Sequence, residues 1–317
     1  MTTGNRRRRK VGLVGAGMVG SSFAYAFMQR SLAGELIIID KDRDRAEGEA
    51  MDLSHGVPFV RTMRIDAGDY ADLHDADVVV IAAGANQRPG QTRLDLLQTN
   101  ANIIRAITRE IITVNRDAVI LVATNPVDIL THIAAEEADL RAGQVLGSGT
   151  TLDSARFRFL LGEYYKVDPR SVHAYIIGEH GDSSLPVWSL ANIAGVRLKD
   201  FVGLNGQSYN EAALEQIFEQ TRNAAYEIIK RKHATYYAIG LGLVSLVEAI
   251  LRDQQSVLTV CSPISDMYGV DGISISLPTI VGVHGVEQVL SLPLTDQEIE
   301  KFQHSASVLK ENLAKLS

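Results

Sequence analysis

Val11-Gly12-Leu13-Val14-Gly15-Ala16-Gly17-Met18-Val19-Gly20 begins a unit that Leu36-Ile37-Ile38-Ile39-Asp40 completes. The apolar run at 11–14 has strand character, 21–29 is helix-compatible, and 36–39 is a second apolar strand ending on an acid. Gly15, Gly17 and Gly20, with Met18 and Val19 between them, form the turn from strand to helix. Glycines there allow a tight turn and let backbone approach a pyrophosphate. The pyrophosphate sits on a helix N-terminus, where amides are unpaired and the dipole is positive. Asp40 follows Gly20 by twenty residues and lies at a strand end. A carboxylate so placed accepts hydrogen bonds from adenosine ribose hydroxyls and repels a 2′-phosphate, which favours NAD over NADP. A glycine triplet alone is a weak signal. Flanked by strand, helix and acid, it predicts a dinucleotide site.

Outward from this unit, further strand-like runs occur at 78–82, 119–122 and 145–147, with helical patterns between them, notably 93–114. Continuous apolar strands alternating with helices indicate a parallel sheet covered on both faces. The expected fold is α/β: a doubly wound parallel sheet of Rossmann type over residues 1–148, then an α+β substrate domain over 149–317. The second half carries helical patterns near 151–165, 209–231, 234–252 and 297–316, with β-like segments at 172–177, 256–260 and 273–283. Neither an internal repeat nor a low-complexity linker separates the halves.

A chain of 317 residues accommodates about two domains. Its 46% apolar and 22% charged residues are ordinary for a globular protein. Arg6-Arg7-Arg8-Arg9-Lys10 could be read as a nucleic-acid arm, but the net charge of −7 points to a solvated N-terminus instead. No apolar run approaches the roughly 20 residues of a membrane span, and the basic start lacks the apolar stretch of a signal peptide. Cys261 is the only cysteine, so neither an intrachain disulfide nor a cysteine-based zinc site is expected. The expectation is a cytoplasmic protein that binds no nucleic acid, membrane or metal.

Two segments of the second half carry the chemistry. Leu152-Asp153-Ser154-Ala155-Arg156 places an acid and a guanidinium three positions apart, on one helix face. Ile177-Gly178-Glu179-His180-Gly181-Asp182 sets a histidine in a glycine-rich turn after an apolar run. An acid bonded to one imidazole nitrogen fixes the tautomer and favours the protonated ring, leaving the other nitrogen to exchange a proton. A guanidinium on the same face can hold a carboxylate through two parallel hydrogen bonds. Taken alone, such a pair is most often a solvated ion pair, and such a histidine is more often structural. The cofactor half tips the balance toward a site for an acid bearing a neighbouring carbonyl or hydroxyl. The segment 84–92 leaves a strand end with Gly84 and Gly90 as candidate hinges. It reads either as a lid or as an ordinary loop. Ala123-Thr124-Asn125-Pro126-Val127-Asp128 also follows a strand end, and Asn125 there either orients a ligand or serves the turn.

Five stretches carry a resemblance to a known family: Val14 to Gly20; Asn86-Gln87-Arg88-Pro89-Gly90-Gln91-Thr92-Arg93-Leu94-Asp95-Leu96; Thr124 to Asp128; Gly149-Thr150-Thr151-Leu152-Asp153-Ser154-Ala155-Arg156; and His173-Ala174-Tyr175-Ile176-Ile177-Gly178-Glu179-His180-Gly181-Asp182-Ser183. Together they resemble the lactate/malate dehydrogenase family, and within it the bacterial L-lactate dehydrogenases, over essentially the whole chain.

The resemblance implies reversible reduction of pyruvate to L-lactate by NADH. It makes His180 the proton donor and acceptor, with Asp153 as its partner. Arg156 would clamp the substrate carboxylate and Arg93, carried on a closing loop, would polarise the carbonyl. Asn125 would orient substrate and cofactor, Thr235 would line the substrate pocket, and Ile239 would press on the nicotinamide. Counting back from Pro89, the specificity position is Gln87, and Arg88 matches a basic residue common to both branches. A neutral amide at 87 disfavours oxaloacetate, because burying an unpaired carboxylate costs several kcal/mol. Malate dehydrogenase and a broader 2-hydroxy-acid dehydrogenase remain the alternatives, and a non-catalytic NAD-binding protein is the alternative from another class. Arg158 and His173 match positions that in bacterial relatives form a fructose 1,6-bisphosphate site across a two-fold interface of a homotetramer; otherwise they are surface charges. His233 departs from the family, standing where many relatives carry glycine. It would be either a second titratable group near the pocket or an exposed histidine at a helix start.

Overall fold

β1 (Lys10–Val14), α1 (Met18–Arg30) and β2 (Glu35–Ile39) form the first unit in the computed structural model, which describes residues 9–85 and 92–316. They are followed by α2 (Arg43–Gly56), β3 (Arg64–Ala67), β4 (Val78–Ile81), α3 (Arg93–Val114), β5 (Val119–Val122), α4 (Val127–Ala138) and β6 (Val145–Gly147). The six strands pair in parallel in the order β3-β2-β1-β4-β5-β6. The chain reverses its winding between β1 and β4, and at such a reversal ligands bind outside the carboxyl ends of the strands.

Period-two side-chain alternation explains why these strands read as unbroken apolar runs. Val78 and Val80 face Phe23 and Phe27 of α1, whereas Val79 and Ile81 face Ile104 and Ile111 of α3 with Leu130 and Ile133 of α4. Both faces are core, so no position is left for a polar residue.

The second half begins with α5 (Thr151–Tyr165) and the short strands β7 (Val172–His173), β8 (Ile176–Ile177), β9 (Leu185–Pro186), β10 (Asn192–Ile193) and β11 (Val196–Arg197). Then come α6 (Glu211–Lys232), α7 (Tyr237–Leu251), β12 (Ser256–Ile264), β13 (Ile273–Gly282), β14 (Gly285–Val289) and α8 (Asp296–Ala314). Residues 172–177 do not form the single strand that their composition suggests. β7 joins a three-stranded sheet with β10 and β11, and β8 pairs with β9. The two partners lie in different sheets, so the chain must break pairing at Ala174-Tyr175.

The change of pattern near Ser148 is not a break in the main sheet. β12 runs antiparallel to β6 through Cys261 opposite Gly147, and β13 and β14 extend the same sheet to nine strands among the described residues. α7 also covers the first half, packing Leu243, Val244 and Val247 into the core with Phe23 and Phe27. A side chain at Gly240 would approach the Ser22-Phe23 backbone to about 3.0 Å, so glycine sets how closely α7 crosses α1. Phe157, Leu161, Leu214 and Phe218 close a third core between α5 and α6. Among the described residues no helix is long and apolar enough to cross a membrane.

Candidate active site

The glycine turn is built as its sequence demands. Gly15 has φ of +106°, and a Cβ there would lie 2.4 Å from the Ala83 backbone nitrogen. A Cβ at Gly20 would meet the Gly15 carbonyl at 1.9 Å, so neither position accepts a larger residue. Gly17 differs: among the described residues a Cβ there meets nothing within 4 Å, and no side chain caps the α1 N-terminus it begins. That leaves open space in front of unpaired amides, which is where a pyrophosphate fits. Met18 and Val19 form the first turn of α1. Asp40 directly follows β2, with Oδ2 accepting the Ala16 N–H at 2.7 Å and Oδ1 accepting the Asp42 N–H at 3.0 Å. One carboxylate thus holds the glycine turn against the strand end, with lone pairs left for ribose hydroxyls. The turn and the acid together fit an adenine dinucleotide.

β4 and β5 end beside this turn. Thr124 Oγ1 donates to the Ala83 carbonyl at 2.7 Å, and the Ala85 N–H donates to Asn100 Oδ1 at 2.7 Å. A Cβ at Gly84 would come within 2.6 Å of Thr124 Cγ2, so Gly84 is required by packing rather than as a free hinge. The Asn125 carbonyl accepts from Asn100 Nδ2 at 3.5 Å, which fixes the Asn125 turn to α3. Gln87, Arg88 and Gly90 lie outside the described residues, as does the side chain of Arg93, whose backbone opens α3 behind a Thr92–Asp95 capping box.

Three predicted residues of the second half meet. Asp153 lies in the first turn of α5, and its Oδ2 stands 2.5 Å from His180 Nδ1 while Oδ1 accepts from Arg156 Nη1 at 3.0 Å. The side chains of Asp153 and Arg156 are 14% and 13% exposed and that of His180 is 25% exposed, so the cluster is no solvated surface pair. The turn carrying His180 is fixed from behind. Gly178, with φ of +90°, exchanges backbone hydrogen bonds with Ser276 of β13 at 3.0 and 3.2 Å. The Glu179 N–H donates to Ser305 Oγ of α8 at 2.8 Å.

Burial opposes charge on His180, but the charge and hydrogen bond of Asp153 and the charge of Asp128 outweigh it, raising the imidazole to about 9 against the repulsion of Arg156. Burial likewise disfavours ionised Asp153, yet His180 and Arg156 hold its carboxyl below the usual range. The result is an imidazolium at neutral pH, with Nδ1 committed to Asp153 and Nε2 left to exchange a proton. One bond of the guanidinium goes to Asp153. Its remaining N–H donors suit a small carboxylate.

Thr235 is half-buried in the connection 233–236 between α6 and α7, and Ile239 packs half-buried in the first turn of α7. His233 is exposed and caps the C-terminus of α6 with φ of +68°, so it sits at a helix end rather than a helix start. Glycine adopts that backbone without strain, whereas a histidine there carries the cost of a left-handed conformation. Arg158 faces away from His180: Nη2 donates to the Arg170 carbonyl at 3.4 Å, three residues before the exposed His173, and among the described residues the buried Arg158 Nε has no hydrogen-bond partner. Asp128, Ser276 and Ser305 also reach the turn that carries His180, although the sequence assigns them no role. Among the described residues, no group of three or more His, Cys, Asp or Glu is arranged to hold a metal.

Residues 9–147 match the lactate/malate dehydrogenase NAD-binding domain, and residues 150–317 match the α/β C-terminal domain of the same family. The L-lactate dehydrogenase of Priestia megaterium is 50% identical over 305 residues, covering 96% of each chain. That of Acetivibrio thermocellus is 48% identical over 307 residues, covering 97% of each. A crystal structure of the minor L-lactate dehydrogenase from Enterococcus mundtii superposes with a TM-score of 0.94 at 43% identity, covering 98% of each chain. With both halves matched and the glycine turn, Asp40 and the histidine–aspartate pair in place, the chain belongs to the lactate/malate dehydrogenase family.

Proposed function

We propose that the protein is an NAD-dependent L-lactate dehydrogenase, reducing pyruvate reversibly. The observation that carries this reading is the bridging carboxylate of Asp153, 2.5 Å from His180 Nδ1 and 3.0 Å from Arg156 Nη1. It ties a proton donor to a carboxylate clamp at fixed separation, as a 2-oxo acid requires. The names of the relatives support the same substrate class.

Arg156 binds the pyruvate carboxylate and so sets the distance from the carbonyl oxygen to His180. Bound at the glycine turn, the nicotinamide cofactor supplies the hydride to the carbonyl carbon. His180, protonated because its pKa is about 9, gives the Nε2 proton to the oxygen, and Asp153 stabilises the imidazolium before transfer. Arg93 polarises the carbonyl in this reading, an electrostatic effect that strengthens as charge develops on oxygen. Asn125 and Thr235 orient the substrate, Ile239 presses on the cofactor ring, and Gln87 sets the side-chain preference. Gln87 brings no charge to meet the second carboxylate of oxaloacetate.

The same reading makes the enzyme a cytoplasmic homotetramer responsive to fructose 1,6-bisphosphate. The observation favouring an effector is the buried Nε of Arg158, which has no hydrogen-bond partner among the described residues, on a side chain that reaches the Arg170 carbonyl three positions before the exposed His173. Cations gathered from two subunits repel until a bisphosphate bridges them.

Steady-state NADH oxidation with pyruvate against oxaloacetate tests the activity, and a kcat/KM higher for oxaloacetate overturns it. Added sugar bisphosphate is expected to lower the pyruvate KM in the parent enzyme but not in Arg158→Gln. Indifference of the parent to millimolar effector removes regulation and leaves catalysis standing.

A further inference from the structure

A second carboxylate lies behind His180 and takes no part in the pairing with Asp153. Asp128, three residues after Asn125, sits in the first turn of α4 and is only 2% exposed. A carboxylate so buried is costly unless donors converge on it. Here they come from separate elements. The His180 backbone N–H donates to Oδ2 at 2.7 Å, Ser276 Oγ of β13 donates to Oδ1 at 3.4 Å, and the Cys261 thiol of β12 is a further hydrogen-bonding neighbour. Ser276 Oγ also accepts the Thr150 N–H at 3.2 Å, just ahead of α5. The starts of α4 and α5, the middle of two strands and the catalytic turn therefore meet around one side chain.

We propose that Asp128 is a positioning residue for His180, fixing the backbone from which the imidazole hangs and setting a negative charge behind it. This rests on His180 being the proton donor, as proposed above. Asp153 orients the ring, and Asp128 orients the peptide that carries the ring. Because Asn125 enters the same turn as Asp128, the proton donor and a substrate-orienting residue are referred to a common anchor. Small errors in such placement are expensive in rate.

The charges around the anchor point the same way. Asp128 faces His180 and Glu179 from the turn and Cys261 from β12, while Asp153 and Arg156 of α5 lie on the other side of the imidazole. Burial lifts Asp128 to about 6, opposed by the charge of His180, by its backbone hydrogen bond and by Cys261. At neutral pH Asp128 is thus anionic, and its field helps to keep His180 protonated.

Asp128→Asn tests the proposal, since the amide keeps the size and an accepting oxygen but loses the charge. The alkaline limb of kcat/KM for pyruvate is expected to move down by about 1 pH unit, with NADH affinity within about twofold of the parent. Asp128→Ala also loses the acceptor, and its kcat is expected to fall by about 100-fold. A folded Asp128→Asn enzyme with the parent's kcat and the parent's limb overturns the proposal. His180→Asn serves as the control: activity near the parent's there overturns the assignment of His180 itself, a result separate from any result at Asp128. Should the Asp128 variants fail to fold, the unsubstituted protein labelled with ¹⁵N-histidine answers the question. Its His180 amide resonance is expected to titrate with a midpoint near the Asp128 value of about 6, apart from the ring step near 9. An amide that stays flat across the lower step overturns the proposal.

Discussion

Asp153→Asn removes one charge from a site where an imidazole and a guanidinium share a single carboxylate. With a pKa of about 9, His180 is about 97% protonated at pH ~7.5. Burial is the largest influence on that ring and lowers its pKa, so without Asp153 the imidazole falls to its ordinary 6.5 or below. No more than about 9% then carries a proton at pH ~7.5, and pyruvate reduction drops at least about tenfold from protonation alone. An amide oxygen also makes a weaker bond to Nδ1–H than a carboxylate does, which adds to the loss. The assay is kcat/KM for pyruvate against pH, followed by NADH consumption, with NADH affinity measured separately by fluorescence. The alkaline limb is expected to move from about 9 to about 6.5 or lower, and the deficit to shrink as the pH falls. A limb that stays near 9, or a deficit equal at both ends of the profile, refutes the assignment of Asp153 as the group that keeps His180 charged.

Arg156→Lys is expected to raise the pyruvate KM about 100-fold with NADH binding unchanged, because an ammonium cannot reproduce the planar two-bond clamp; steady-state KM reads it. Gly17→Ala is expected to weaken NADH about tenfold while costing less than about 1 kcal/mol of stability, since the added methyl meets only the space meant for phosphate. Equilibrium NADH fluorescence and a melting curve separate the two effects. Gln87→Arg is expected to shift the ratio of kcat/KM values toward oxaloacetate, and an unchanged ratio removes Gln87 from contact with the substrate side chain. For stability, the His180 pKa is raised, so its contribution is complete below about 6.5 and disappears as pH rises through about 9. That of Asp153, whose pKa is lowered, is present above 3.8 and is lost as pH falls through its folded value. The difference in Tm between the parent and Asp153→Asn is therefore expected to narrow on the alkaline side of 9, where the bond to Arg156 alone remains.

What the sequence disclosed was local. The glycine turn and Asp40 are a strand–turn–helix–strand unit within a few dozen residues, and the spacing of Asp153 and Arg156 is one turn of one helix. The meeting of His180 with Asp153 spans 27 residues and followed from chemistry and resemblance rather than from periodicity. Partners brought in from the far end of the chain left no such trace. Asp128 reaches Ser276 across 148 positions, and Glu179 reaches Ser305 across 126. A serine on a buried strand reads as filler until the strand beside it is known. The split of 172–177 into β7 and β8 was hidden for the same reason, because the pairing partners, not the residues themselves, set where the strand divides. His233 misled differently: its positive φ is a property of the backbone path between α6 and α7, to which side-chain identity is nearly blind.

The pairing of β12 with β6 has a consequence for how the molecule comes apart. A chain of two family domains could in principle melt in two steps, with the cofactor protecting only the half that holds it. Here the substrate half donates three strands to the sheet and a helix to the core of the cofactor half, so neither can open without exposing the other's apolar interior. Occupation of the nucleotide site should therefore slow amide exchange in β12 and α7 as much as in β1 and α1, and heating should yield one calorimetric transition rather than two.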